Sequence, residues 1–190
     1  MAHLIIIIHS QKKSQNKMGD FRNPQPISKL NKVVAEFTRP ANTTAYAAKD
    51  VISDSTTSPT YMTFSNVVRD KGASGYVVKA RIMSDSTAPS TASAVFKLHL
   101  FHTAPTAIND NDPYTMLYAN RDKRIGVLTF PAAATEGTGS DSCHARVSND
   151  TIAFCVDDAS NVLYGILETD TAFTPASGQK FYVELIIDQC

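Results

Sequence analysis

Tryptophan is absent from this chain of 190 residues, cysteine is scarce, and no stretch carries the pattern of a long amphipathic helix. Cys143, Cys155 and Cys190 are odd in number and show no Cys-x-x-Cys spacing. That argues against a secreted disulfide scaffold and for maturation in a reducing cytosol. The plain reading of Cys143 and Cys155 is two small buried apolar side chains; terminal Cys190 is expected to be exposed. Long hydrophobic runs are missing too. The run Leu4–Ile8, five residues long, is too short for a membrane span or for the core of a secretory signal. It fits an added strand, a tag remnant or translation upstream of a start at Met18, and the sequence does not choose among them. An excess of charge is also missing, since 18 Lys and Arg balance 18 Asp and Glu. A direct nucleic-acid binder usually shows a basic surplus, which the chain as a whole lacks.

What is present is alternation. In Tyr76–Met83, residues Tyr76, Val78, Ala80 and Ile82 fall on one face, and Val77, Lys79, Arg81 and Met83 on the other. That period of two predicts a half-buried strand. Strands are expected at 33–38, 45–53, 61–68, 75–84, 92–102, 125–130, 146–156, 162–168 and 180–188. Between them lie breaks rich in Pro, Gly, Asn, Asp and Ser, which favour turns for distinct backbone reasons. The nearly continuous apolar run Val183–Ile187 marks the last strand as central. So many short strands predict an all-β fold: an antiparallel β-sandwich, jelly-roll-like. Val78, Ala80, Ile82, Leu98, Leu100, Val183, Leu185 and Ile187 are its expected core. At this length folding buries roughly 70% of the unfolded surface, so neither disulfide nor metal is required. Asp112-Pro113 offers a helix start, and Tyr114, Leu117 and Tyr118 have helical spacing, which allows one helix within 108–120.

Charge is distributed unevenly. Residues 1–32 carry Lys12, Lys13, Lys17, Arg22, Lys29 and Lys32 against Asp20 alone, while the last forty-one residues hold seven acids and one base. The first 32 residues, with Pro24 and Pro26, read as a basic extended N-terminal arm preceding a β-sandwich domain at 33–190. Within that domain the connection from Thr103 to Arg124 is unusually long. It holds Tyr114, Tyr118 and the cluster Arg121, Lys123 and Arg124. Long loops on a rigid sandwich commonly carry partner contacts. That loop, and the face of Val77, Lys79, Arg81 and Met83, are the expected contact surfaces.

No motif for chemistry emerges. Gly137-Thr138-Gly139 lacks the ending of a phosphate-binding loop and no helix pattern follows it, so it reads as a turn. Asp110-Asn111-Asp112 lacks the spacing of a calcium loop and reads as an Asx-type turn. His99 and His102, three apart on a strand, point to opposite faces. Cys143 and His144 are adjacent and meet the same objection as a nucleophile–base pair. Gly-x-Ser-x-Gly is absent. Lys79 and Arg81 share a solvated outer face. The expectation is a protein that is not an enzyme, with no catalytic residue, cofactor or metal.

Several strings resemble small structural proteins of tailed bacteriophages: Gly75–Arg81, Phe96–Phe101, Asp112-Pro113-Tyr114 with Ala119-Asn120-Arg121, Leu163–Glu168, and Phe173–Gln179. The likeness, over roughly residues 45–189, is to capsid decoration, or cement, proteins. It implies a virion protein on the capsid surface, assembled in the bacterial cytoplasm, with the major capsid protein as partner. The same reading expects a homo-oligomer, a trimer or dimer, and no membrane contact. Candidate contacts are Lys12, Lys13, Lys17, Arg22, Lys29, Lys32, Tyr114, Tyr118, Arg121, Lys123 and Arg124. The alternative is a tail- or fibre-associated adhesion module binding a host glycan, with Tyr114 and Tyr118 as an aromatic platform. An enzyme acting on cell-wall sugars would need two carboxylates facing a cleft, which the strand pattern does not assign.

Overall fold

The computed structural model describes residues 29–147 and 151–190. Its elements in chain order are β1 (Lys29–Thr38), β2 (Val51–Ile52), β3 (Met62–Phe64), β4 (Ser74–Ser84), α1 (Ala88–Thr91), β5 (Phe96–Phe101), a 3-10 turn (Tyr118–Asn120), β6 (Arg124–Phe130), β7 (Cys143–Val147), β8 (Ile152–Cys155), β9 (Leu163–Thr169) and β10 (Lys180–Gln189). All pairings between these strands are antiparallel. Sheet one runs β1-β10-β4, with β7 and β8 end to end along the far edge of β4. Sheet two runs β9-β5-β6, with β2 and β3 end to end along β9. Merging each end-to-end pair leaves eight strand positions in two four-position sheets. β1 pairs with β10, and neighbours in sequence alternate between sheets except β5 and β6, which pair with each other in sheet two. That is the order of a jelly roll, two interlocked Greek keys.

The core lies between the sheets. Ala35, Val77, Ala80, Ile82, Val183, Leu185 and Ile187 from sheet one face Phe64, Phe96, Leu98, Leu100, Leu128 and Leu167 from sheet two. Aromatic rings close one end: Phe96 packs edge-on against Phe173 and Phe181 at 5.9 and 5.8 Å, and Phe37 stacks on Phe181. Such contacts add about 0.5–1.5 kcal/mol each beyond area burial.

The expected core holds except at Val78. Ile186 pairs with Lys79 and Ile187 with Val77, so Val78 is unopposed, a β-bulge. The extra residue shifts the phase of alternation. Before the bulge Gly75 and Val77 point inward; after it Ala80, Ile82 and Ser84 do. Val77 is therefore core, Val78 is half-buried and Tyr76 is outside, whereas a single unbroken face was expected.

Other departures have local causes. β1 starts at Lys29, four residues ahead of its expected start, because Lys29–Lys32 continue the ladder with Ile186–Gln189. In 45–53 only Val51–Ile52 forms a ladder; Lys49 has φ 75° and turns the chain. In 61–68 the ladder stops at Phe64, followed by Asn66 at φ 58°. The expected strand 146–156 is two, β7 and β8, aligned on successive halves of β4. Within 108–120 the only helical element is the 3-10 turn. Pro113 instead bridges Asp50, and backbone bonds from Val51 to Asp112 and Tyr114 to Lys49 lay the segment along β2 as an extended chain. Cys143 is buried as expected, but Cys155 is exposed, as is Cys190.

This extended segment roofs the outer face of sheet two. Val51, Phe101 and Ile166 form a second apolar cluster there with Ile108, Tyr114, Met116 and Tyr164. The outer face of sheet one has no such cover among the described residues.

Candidate interaction surfaces

On the open face of sheet one, cross-strand register sets the neighbours. Val34 of β1 stands beside Glu184 of β10, which stands beside Arg81 of β4, which stands beside Arg146 of β7. Glu184 Oε2 accepts from Arg81 Nη2 at 3.0 Å and from the Tyr182 hydroxyl at 3.2 Å, with Lys32 Nζ at 3.9 Å. Arg81 is thus neutralised. Lys79 and Arg146 are exposed and have no ion-pair partner among the described residues. Large apolar side chains share the face: Leu30 is 65% exposed, Tyr76 43%, and Val34 is also open to solvent. Exposed apolar groups interspersed with unpaired cations make this a surface suited to a partner.

At one end of the same face, where β4 stops, Met83 and Tyr182 floor a recess of about 420 Å³. Its rim carries Glu36, Asp85 and Asp141 against Lys180. Asp85 accepts the backbone N–H of Lys180 at 2.8 Å. Glu36 and Asp141 are exposed without partners among the described residues.

The roof over sheet two ends in a knob at the other end of the sandwich. Tyr118 is 80% exposed, the most open of the large apolar side chains among the described residues, and Leu117 beside it is open as well. The Arg121 guanidinium lies 4.3 Å over the Tyr118 ring and donates to the Tyr118 carbonyl at 3.1 Å. Stacking a guanidinium on an aromatic face holds both in place. Lys123 donates back to the Ala104 carbonyl and Arg124 begins β6, exposed. Tyr114 differs: it is half-buried, with its ring stacked 3.7 Å from that of His99. Tyr114 and Tyr118 therefore do not form a shared aromatic platform.

Three polar clusters hold this scaffold. Arg39, 2% exposed, donates to the Tyr46 hydroxyl at 2.9 Å, to the Asn42 and Ala176 carbonyls, and to Asp110 Oδ2 at 3.3 Å. Tyr46 and the Ser53 backbone N–H also donate to Asp110. Burial, with Asp110 beside it, pushes the Tyr46 hydroxyl far above its ordinary range. Beneath Tyr114, His99 Nε2 and Glu168 Oε2 share a hydrogen bond of 2.5 Å. Burial pushes His99 down to about 3 and pushes Glu168 up, so the interior favours the uncharged form of each. At the open end, both nitrogens of His102 face acceptors, Asp157 Oδ1 at 2.6 Å and the Asp122 carbonyl at 2.8 Å. Thr103 donates to Asp157 at 2.7 Å, and that bond, with His102, holds the Asp157 carboxyl below its usual range.

His99 and His102 serve separate clusters, as their spacing requires. Asp110 is the anion of a buried ion pair, while Asn109 and Asp112 bond across the turn and Asn111 takes φ 67°. Cys143 faces inward and His144 outward, 3.3 Å from Glu136. Among the described residues no group of three or more His, Cys, Asp or Glu is arranged to hold a metal ion. Nor is any helix there long and apolar enough to cross a membrane.

The candidate contacts divide accordingly. Lys12, Lys13, Lys17 and Arg22 lie outside the described residues. Lys29 and Lys32 sit on β1, Lys32 leaning toward Glu184. Tyr118, Arg121, Lys123 and Arg124 gather at the knob, and Tyr114 belongs to the roof. Sequence reading missed Leu30, Val34, Tyr76 and Arg146 as one surface, because only the register of four strands brings them together. No family model and no curated protein matches the chain.

Proposed function

We propose that the chain is a structural protein of a tailed-bacteriophage virion that binds the outside of the assembled capsid and stabilises the lattice of the major capsid protein. The observation that carries this reading is the contrast between the two outer faces. One is roofed by the protein's own chain; the other presents Leu30, Val34 and Tyr76 among the unpaired cations Lys79 and Arg146. A broad, open, mixed surface on a rigid sandwich suits attachment to another protein surface more than enclosure of a small molecule. The jelly-roll order supports the reading as analogy, since viral capsid domains use it. So does the resemblance of Gly75–Arg81, Phe96–Phe101 and Leu163–Glu168 to cement proteins. A protein that binds only the closed lattice stabilises it by mass action, without any reaction. The chain works as a homo-oligomer on the capsid surface, with the major capsid protein as partner.

Lectin domains share this strand order, which keeps a tail or fibre adhesion module binding a host glycan as the second reading. Copy number decides between them. Purified protein is mixed with empty shells of a major capsid protein from the same phage and imaged by electron cryomicroscopy. Regular density over the shell, with a higher rupture temperature, is the expected result. Protein confined to a few copies at the tail of intact particles, with bare shells, overturns it in favour of adhesion.

A further inference from the structure

The knob and the recess are complementary in chemistry and in charge. The knob is a protruding aromatic ring capped by a guanidinium: Tyr118 and Arg121, with Arg124 behind them. The recess is a pocket with an apolar floor, Met83 and Tyr182, and a rim on which the carboxylates of Glu36, Asp85 and Asp141 outnumber the single cation Lys180. Tyr and Arg are the residue types that anchor protein contacts when they enter desolvated pockets.

The two cannot meet within one molecule. Phe96 packs on Phe181, so that end of β5 lies with the end of β4 that holds Met83. The other end of β5, at Phe101, pairs with Arg124 beside the knob. β5 spans six residues, and a rise of about 3.3 Å per residue separates its two ends by roughly 17 Å along the sandwich. They also belong to opposite sheets.

We propose that the Tyr118–Arg121 knob of one copy docks into the Met83–Tyr182 recess of a second copy. The ring covers the two apolar side chains while the guanidinium meets Glu36 and Asp141. Because the two patches differ, the contact is heterologous: each copy offers one donor patch and one acceptor patch. Such contacts close into a ring or propagate, depending on the rotation per step. The contact specifies the surfaces of the homo-oligomer, and it is tested without shells, so its failure is separate from failure of the capsid reading.

The test is light scattering on the full chain at about 100 µM, a concentration that detects weak contacts. Three proteins are compared: wild type, a knob variant (Tyr118→Ser with Arg121→Ser), and a recess variant (Glu36→Lys with Asp141→Lys). All four sites are exposed, and unchanged melting temperatures confirm that the variants fold. The wild type is expected to self-associate, and each variant alone to run as a monomer, with association weakened at least tenfold. An equimolar mixture of the variants, which has one intact knob and one intact recess, is expected to form a two-copy complex and nothing larger. A monomeric wild type overturns the proposal. So does association of either variant at wild-type strength, or a mixture that stays monomeric.

Discussion

At the scale of single residues, burial decides more than identity. Arg39 and Asp110 are fully enclosed and 71 residues apart. Nothing local in Asn109–Asp112 announces that one carboxylate of the turn is the counter-ion of a distant guanidinium. Asp110→Ala leaves Arg39 buried without its anion, and is expected to cost about 3–5 kcal/mol in chemical denaturation at neutral pH. Replacing the pair together, Arg39→Met with Asp110→Leu, is expected to cost less than the single change, because no lone charge remains. His99 gives a second expectation, in pH. Its folded value of about 3 lies below its ordinary 6.5. The unfolded chain therefore binds more protons between those values. The stability from neutral His99 is complete above about pH 6.5 and is lost as pH falls toward 3. Glu168 is displaced upward by the same burial and acts in the opposite sense, losing stability as pH rises through its folded value. The two are separated in a Glu168→Gln background. There, denaturation midpoints are expected to fall from pH 7 to pH 4.5, and adding His99→Gln should flatten the curve. Coincident curves would mean that His99 titrates in the fold as it does in the unfolded chain.

At the scale of elements, strand existence was legible, and strand phase was legible except across the bulge in β4. Nearly every expected strand has a ladder within it, because alternation and turn residues mark both the faces and the ends. Two of the misses come from a backbone event at a residue type that does not advertise it. Lys49 turns the chain at a positive φ, and Val78 is bulged. In β4 the bulge falls where the neighbouring strand changes, after Val77, which pairs with Ile152, and before Ala80, which pairs with Val147. The bulge thus lets one long strand serve two short partners. Deleting Val78 keeps Val77 and Ala80 pointing inward, with Lys79 outward between them. Deleting Arg81 instead moves Ile82 or Val77 to the solvent face. The first deletion is expected to lose about 2 kcal/mol or less and the second to abolish cooperative unfolding. Equal losses in urea titrations would show that the bulge itself, not the phase it sets, is what the fold needs. The same limit applied to the interaction surfaces. The basic cluster at 121–124 was visible as a run of letters, whereas the recess draws on β1, β4, β10 and the segment before β7, which only the folded register assembles.

At the scale of the whole molecule, the proposed attachment to shells would draw on two distinct contributors: the open face of sheet one and the basic residues that precede it in sequence. Their effects are separable in kinetics. Charges at an exposed rim steer encounter and are screened by salt, while apolar groups at the centre of a contact hold the complex once formed. β1 begins at Lys29, so a truncation that removes residues 1–28 keeps the pairs of Lys29 with Gln189 and Leu30 with Asp188. The truncated protein is expected to melt within a few degrees of the full chain. Without Lys12, Lys13, Lys17 and Arg22 it should associate with shells several-fold more slowly at about 50 mM salt, and at nearly the same rate as the full chain at about 500 mM. Its dissociation rate should change little. Tyr76→Ala with Arg146→Glu on the open face is expected to do the reverse, raising the dissociation rate tenfold or more at either salt concentration. Surface plasmon resonance on immobilised shells measures both rates. An association rate indifferent to the truncation at low salt would remove the arm from the attachment mechanism, and a dissociation rate indifferent to the face variant would remove the face.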